Sequence, residues 1–263
     1  MIKTKVLVLA VAAWIGASPL MARAQTDAAA KNAEQARAAL NAMVQALGGD
    51  AWLNMKNRMQ VGQIAAFYQG KPSPGTTKAY EFHEWPDHDR IDLTSHRDVV
   101  EYFVGRQGWE VTYQGKKPMQ ADILSEYLRR RDHSIETAVK VWMKDPNTIL
   151  VYEGQRMAER HLAEQVTLIS AQNESITIQM DIQSHLPLQR SYQYRDPEYH
   201  DKNTDTEEYA GYRAVDGIQT PFTITRMKND DMLRQFFVTE VKYNQDLGAE
   251  FWDPSVSAKK IVK

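Results

Sequence analysis

A chain of 263 residues with no cysteine and a formal charge of −2 excludes a disulfide framework, a cysteine nucleophile and a thiolate metal site. It also lacks the basic surplus that nucleic acid selects. The length suits one large domain or two small ones. No Pro/Gly/Ser-rich linker divides the chain, so a single domain over 25–263 is expected.

Met1-Ile2-Lys3-Thr4-Lys5 is basic, Val6 to Ile15 is apolar, and Ala22-Arg23-Ala24 puts small residues where signal peptidase reads. The apolar run is shorter than the ~20 residues of a membrane-spanning helix. This three-part pattern predicts a secretory signal peptide over 1–24 and an exported mature chain. Losing Lys3, Lys5 and Arg23 removes three positive charges and moves the formal charge from −2 to about −5. No later run is long and apolar enough for a transmembrane helix.

Asp27 to Leu47 predicts a helix, with Leu40, Met43, Val44 and Leu47 on one apolar stripe and Gly48-Gly49 as its stop. Such a narrow stripe needs a sheet to lie on. Strands are expected at Met59 to Gln69, Thr77 to Trp85, Arg90 to Leu93, Val99 to Val104 and Trp109 to Tyr113. Helical spacing then takes over at Ile123, Leu124, Tyr127 and Leu128, and again at Ile135, Ala138, Val139 and Trp142. Strands resume at Ile149 to Tyr152 and Gln165 to Ile169.

From Ser175 the alternation is strict: Ile176, Ile178, Met180 and Ile182 share one face, with polar residues between them. Further runs follow at Gln189 to Tyr194, Glu207 to Arg213, Ile218 to Met227 and Met232 to Tyr243. Asp216-Gly217 and Asn229-Asp230-Asp231 stand where hairpin turns are needed. The tail after Phe251 ends in Lys259, Lys260 and Lys263 and reads as solvated. The whole predicts a mainly β (α+β) fold of about eleven antiparallel strands with two or three helices. A sheet of that many strands must curl.

Chemistry-bearing motifs are sparse. His83, His88 and His96 lie near Asp87, Asp89 and Asp92, yet Pro86 breaks the spacing a metal site would need, and no metal is expected. His133, His161, His185 and His200 read as ordinary surface or edge residues. The acidic run Asp196, Glu198, Asp201, Asp205, Glu207 and Glu208 lacks the turn glycine of a calcium loop and reads as a solvated loop. No Gly-x-Ser-x-Gly elbow, glycine-rich phosphate cradle or His-Glu-x-x-His is present. The expectation is therefore a non-enzyme without a cofactor, an exported hydrolase being the weakest alternative.

Several segments together resemble one family. They are the helix ending Leu47-Gly48-Gly49, the strand end Trp85-Pro86-Asp87-His88-Asp89-Arg90, and the turn Phe103-Val104-Gly105-Arg106-Gln107-Gly108-Trp109. In the second half, Met180-Asp181-Ile182 runs into His185-Leu186-Pro187-Leu188, and Val215-Asp216-Gly217-Ile218-Gln219-Thr220-Pro221-Phe222 follows. The pattern is similar to that of the periplasmic lipoprotein-carrier-like (LolA/LolB-like) proteins, including the outer-membrane lipoprotein-sorting homologues. The chain departs from it at Val104, where the group has aspartate, and in the stretch Asp196 to Asp205, which has no counterpart there.

The resemblance implies a strongly curved antiparallel sheet forming an open half-barrel, with helices on the concave side and acyl chains received on that face. Acyl burial is worth about 0.8 kcal/mol per methylene, so a dry groove suffices. The expected ligand-lining residues are Tyr80, Phe82, Phe103, Trp109, Val111, Ile176, Ile178, Met180, Tyr192, Tyr194, Phe222 and Ile224. The expected protein is a monomeric periplasmic carrier of a lipid, a lipoprotein acyl chain or another hydrophobic ligand. The alternative is an envelope-stress sensor or interaction module that uses the same fold to hold a protein partner.

Overall fold

The computed structural model describes residues 19–158 and 161–261. Residues 1–18 of the expected leader lie outside the described residues. The chain opens with α1 (Pro19–Leu47) and a single turn α2 (Asp50–Leu53). Strands β1 (Asn57–Tyr68), β2 (Lys71–Pro72), β3 (Thr77–Glu84), β4 (His88–Leu93), β5 (Val99–Val104), β6 (Gln107–Thr112) and β7 (Gly115–Pro118) follow. Helices α3 (Ala121–Asp132) and α4 (Ile135–Lys140) come next, with a 3₁₀ turn at Trp142–Lys144. The second run of strands is β8 (Ile149–Ala158), β9 (His161–Ile169), β10 (Ser175–Asp181), β11 (Pro187–Arg195), β12 (Lys202–Ala210), β13 (Arg213–Val215), β14 (Ile218–Thr220), β15 (Thr223–Lys228) and β16 (Asp231–Tyr243). A 3₁₀ turn (Ala249–Trp252) and α5 (Pro254–Ile261) close the chain.

One antiparallel sheet runs in the order β7-β6-β5-β4-β3-β1-β16-β15-β12-β11-β10-β9-β8, with β2 paired to β1. It is not closed, and with its helices it forms an open, curved half-barrel. The strand count exceeds the expected eleven because short pieces such as β2 and β7 carry too little pattern to be read in sequence. Each half is a meander of neighbouring hairpins, and among the described residues the two halves of the sheet are joined where β1 pairs with β16. Asp216-Gly217 and Asn229-Asp230 turn the β13–β14 and β15–β16 hairpins with positive φ throughout, as two-residue hairpin turns require.

The free edges of the sheet, β7 and β8, are consecutive in the chain. The segment between them therefore has to travel from one edge to the other, and it does so as α3 and α4, lying over one face. That face is the inner face here.

α1 lies on the same face. Ala36, Leu40, Met43, Val44 and Leu47 are buried, and they join Val166, Leu168, Ile176, Ile178 and Met180 in the main core. Burying each large aliphatic side chain is worth about 1.5–3 kcal/mol. Gly49 (φ 55°) ends the helix by donating to the Val44 carbonyl at 2.9 Å. Midway along it, the Asn32 amide pairs with the Tyr152 backbone, donating to its carbonyl (2.8 Å) and accepting from its N–H (2.9 Å). That bond pair fastens α1 to the edge strand β8. Asp27 to Lys31 of α1 are exposed.

The C-terminal tail, expected to be solvated, instead packs on the outer face. Ala258 and Ile261 of α5 cover Val100, Tyr102 and Val111, and Tyr102 Oη lies 2.6 Å from Ser257 Oγ. Among the described residues no helix is long and apolar enough to cross a membrane.

Candidate functional site

The inner face divides into a filled part and a hollow part. α1 fills the apolar end over β8–β10. Between α1 and the α3–α4 cover lies a cavity of about 210 Å³. Its apolar wall comes from Leu47, Trp52, Ile135, Ile218, Ile224 and Tyr212. Its other wall is charged: Arg58, Arg130, Arg131, Arg190 and Arg234 face Glu81, Asp89, Glu136 and Glu207.

Strand alternation explains how so many charges reach one place. Register aligns Arg58 with His83, Gln60 with Glu81, Glu207 with both Arg190 and Arg226, and Arg226 with Arg234. Cross-strand partners share a face, so all of these point inward.

The carboxylates are committed to named partners. Glu136 of α4 accepts from Arg58 at 3.0 Å, and Glu81 from Arg234 at 2.7 Å. Glu207 lies 3.3 Å from Arg190 and accepts from Tyr209 Oη at 2.9 Å. Burial is the largest influence on Glu207 and opposes its ionisation, but Arg190, the Tyr209 hydrogen bond, Arg130 and Arg234 together outweigh it and hold the carboxyl at about 2. Asp89 sits 2.6 Å from His83 Nδ1 and 3.2 Å from Arg131. Here too burial is the largest influence, yet His83 and Arg131 together leave the carboxyl below its usual range. Burial pushes the phenols of Tyr127, Tyr209 and Tyr212 well above theirs.

The cover is fastened at three levels. Phe103 of β5 and Tyr127 of α3 stack with centroids 3.5 Å apart and planes 3° from parallel. Arg131 also donates to the carbonyls of Asp87 and Gly105. Arg226 of β15 binds Asp205 (3.1 Å) and reaches Glu126 of α3. Ser134 Oγ is occupied as the cap of α4, accepting from Thr137 N at 3.1 Å.

The twelve residues expected from sequence are not brought to one surface. Phe103, Ile176, Ile178, Met180, Tyr192, Tyr194 and Ile224 are on the inner face, and of these Ile224 lines the cavity. Ile176, Ile178 and Met180 are fully buried in the core with α1. Tyr192 stacks on His133 (4.3 Å), and Arg129 of α3 lies over the Tyr194 ring at 3.9 Å. Phe222 packs at the margin of the main core with Arg213 over its ring at 4.3 Å.

Tyr80, Phe82, Trp109 and Val111 belong to the outer face, a correction to their expected concave placement. Phe82 borders the cavity, but its ring packs edge-on to Phe251 at 4.7 Å. Arg97 lies over Tyr80, while Trp109 and Val111 pack in the cluster under α5. The physical reason is parity: on β3 the residues between them, Glu81 and His83, face the cavity.

Two other expectations change. The acidic run is a loop only as far as Asp201. From Lys202 it is β12, with Asp205 2% exposed and Glu207 in the cavity wall. His133 is buried against Tyr192 and Trp142, not on the surface. His83 serves Asp89, and among the described residues no group of three or more His, Asp or Glu side chains could hold a metal. The charged lining was missed because its residue types look like a wet face, and only their pairing across strands marks them as buried.

A second hollow of about 610 Å³ lies over the outer-face row Gln189, Glu208, Thr225 and Gln235, beside Leu188 and Met232. Among the described residues that line it none belongs to a helix and its charges do not converge as those of the inner cavity do, so the inner cavity is the stronger candidate site.

No protein-family model matches the chain, and no curated protein matches its sequence. Solved structures do match its fold. A DUF1329 family protein from Desulfovibrio piger superposes with a TM-score of 0.57 at 11% identity, covering 84% of this chain and 97% of its own. A domain described as an outer-membrane lipoprotein-sorting protein from Vibrio parahaemolyticus gives 0.54 at 11% identity, covering 89% and 100%. A LolA superfamily protein from Nitrosomonas europaea gives 0.50 at 9% identity, covering 84% and 97%. The open antiparallel half-barrel with its crossing helices is thus a LolA-like fold.

Proposed function

We propose that this chain is an exported binding or carrier protein that holds an acyl-bearing ligand, a lipid or a lipoprotein acyl chain, in the concave face of its half-barrel. The supporting observation is the cavity under α3 and α4, with an apolar wall of Leu47, Trp52, Ile135, Ile218 and Ile224. The fold is the one shared with the lipoprotein-sorting and LolA superfamily structures. The basic, apolar and small-residue pattern over 1–24 supports export to the periplasm, where such ligands need shelter from water.

At about 210 Å³ the cavity is smaller than the ~300–1,000 Å³ of pockets that enclose a drug-sized ligand. A chain of a dozen carbons therefore enters only if the α3–α4 cover shifts. In this mechanism the Phe103–Tyr127 stack and the Arg58–Glu136 pair are the contacts that yield. Organic extraction of the purified protein followed by mass spectrometry, and titration with a fluorescent fatty acid, test the reading. A co-purifying acyl lipid and saturable probe binding are expected; finding neither refutes it.

A second reading, an envelope interaction module, draws on the filled half of the inner face. The apolar residues under α1 have no room for a ligand. Recovery of one envelope protein in stoichiometric amount, with no lipid, supports that reading instead.

A further inference from the structure

The charged wall of the inner cavity is unbalanced. Every carboxylate in the lining is paired, and one guanidinium is not. Glu136 takes Arg58, Asp89 takes Arg131, Glu207 takes Arg190 and Glu81 takes Arg234. Arg130 of α3 lines the cavity yet has no ion pair among the described residues; its guanidinium lies over the Tyr127 ring at 5.1 Å.

Other cations crowd it. Arg226 and Arg234 are direct cross-strand partners, and like charges so placed repel. Burial first, then Arg226 and Arg234, push Arg130 below the ordinary guanidinium range. Glu101, Glu126, Asp205 and Glu207 feel its charge without forming an ion pair with it.

Within the cavity lining the other buried side-chain atoms without a hydrogen-bond partner are also donors, while the unpartnered acceptor Asp205 Oδ1 stands beside them outside the lining. Gln60 is 2% exposed and its Nε2 has no partner. Arg190 is 2% exposed and its Nη1 has no hydrogen bond, since Asp205 Oδ1 stands 3.8 Å away. A surplus cation and surplus donors call for a group that only accepts, and an ionised carboxylate or a phosphate is such a group.

We propose that the inner cavity takes the anionic headgroup of an acyl ligand, a carboxylate or a phosphate, and that Arg130 grips it. The tail part of this proposal rests on the acyl-binding reading above; the anion part rests on the lining itself. The guanidinium fork matches two oxygens of either group, and Gln60 and Arg190 supply further donors. Because Arg130 sits on α3, a bound anion also relieves the repulsion between the cover and the sheet, so the ligand fastens its own lid.

Calorimetric titration of the exported chain with dodecanoate, 1-dodecanol and inorganic phosphate tests this. It is run on the unaltered protein, on Arg130→Gln, and on Arg106→Gln, whose exposed arginine pairs with Asp132. Dodecanoate is expected to bind roughly tenfold to a hundredfold more tightly than dodecanol, the worth of a charge-assisted hydrogen bond. Arg130→Gln removes that preference, Arg106→Gln keeps it, and unliganded Arg130→Gln melts higher than the parent. Arg130→Lys, which keeps the charge and loses the fork, retains part of the preference and replaces the glutamine variant should that fail to fold.

Equal affinity for acid and alcohol overturns the anion site and leaves the acyl reading standing. Phosphate binding that Arg130→Gln abolishes, with no affinity for either dodecyl compound, upholds the anion site and overturns the acyl reading. A preference that survives Arg130→Gln overturns the assignment of Arg130, and no binding of any probe overturns both.

Discussion

Asp89 is the residue on which the anchoring of α3 converges, and Asp89→Asn measures that anchoring. The carboxylate is buried and faces His83 at 2.6 Å and Arg131 at 3.2 Å. The substitution keeps the shape and one acceptor but leaves the buried Arg131 without its counter-charge. Breaking one partner of a buried pair costs about 3–5 kcal/mol. Arg131 keeps the Asp87 and Gly105 carbonyls, which places this case near the low end, at about 3 kcal/mol. For a domain of this size that is roughly 6–12 °C of melting temperature.

Urea unfolding of Asp89→Asn, Arg131→Met and the double variant gives the energies. The double variant should lose less than the sum of the singles, because it strands no charge. The pH dependence has a definite sign. The folded-state carboxyl lies below its usual range, so its contribution is present above the unfolded value near ~3.9 and is lost as pH falls through the folded value. In Asp89→Asn that part of the acid destabilisation disappears. A loss below about 1 kcal/mol, which is what a surface pair is worth, would refute the reasoning.

Two further outcomes follow from single contacts. A Cβ at Gly62 would collide with the Phe237 carbonyl oxygen and stand 2.7 Å from Phe236 Cε2, on the β1–β16 seam between the two meanders. Gly62→Ala should therefore cost about 3 kcal/mol, the upper end of ordinary overpacking, and an unchanged urea midpoint would show that the seam can spread. Asn32→Ala removes two hydrogen bonds between α1 and β8, for a loss of about 2 kcal/mol at about 1 kcal/mol each. Hydrogen exchange at the Tyr152 amide should speed up with it; unaltered exchange would mean that α1 is held by its apolar stripe alone.

Much of the fold is local chemistry. Ile176, Ile178 and Met180 alternate because a strand has two faces. Leu40, Met43, Val44 and Leu47 recur because a helix turns every 3.6 residues. Asp216-Gly217 and Asn229-Asp230 admit the left-handed backbone that tight hairpins need. From these alone come the antiparallel sheet, the first helix and the helical segment in mid-chain.

The site is another matter. Alternation sorts residues within a strand but does not say which set faces in, so Tyr80 and Phe82 were expected where Glu81 and His83 actually stand. The charges of β11, β12, β15 and β16 resemble a solvated surface until register puts Arg190 beside Glu207 and Arg226 beside Asp205. Most of the elements and their hairpin turns were legible in the chain, because those depend on residues a few positions apart, and the open half-barrel followed from the resemblance. Only the tertiary structure decided that α1 fills the apolar half of the inner face and that a paired, cation-rich wall lines the rest. Burial and ion pairing there depend on residues brought together from as far apart as Arg58 and Glu136, or Glu81 and Arg234, and such distances leave no periodicity in a chain.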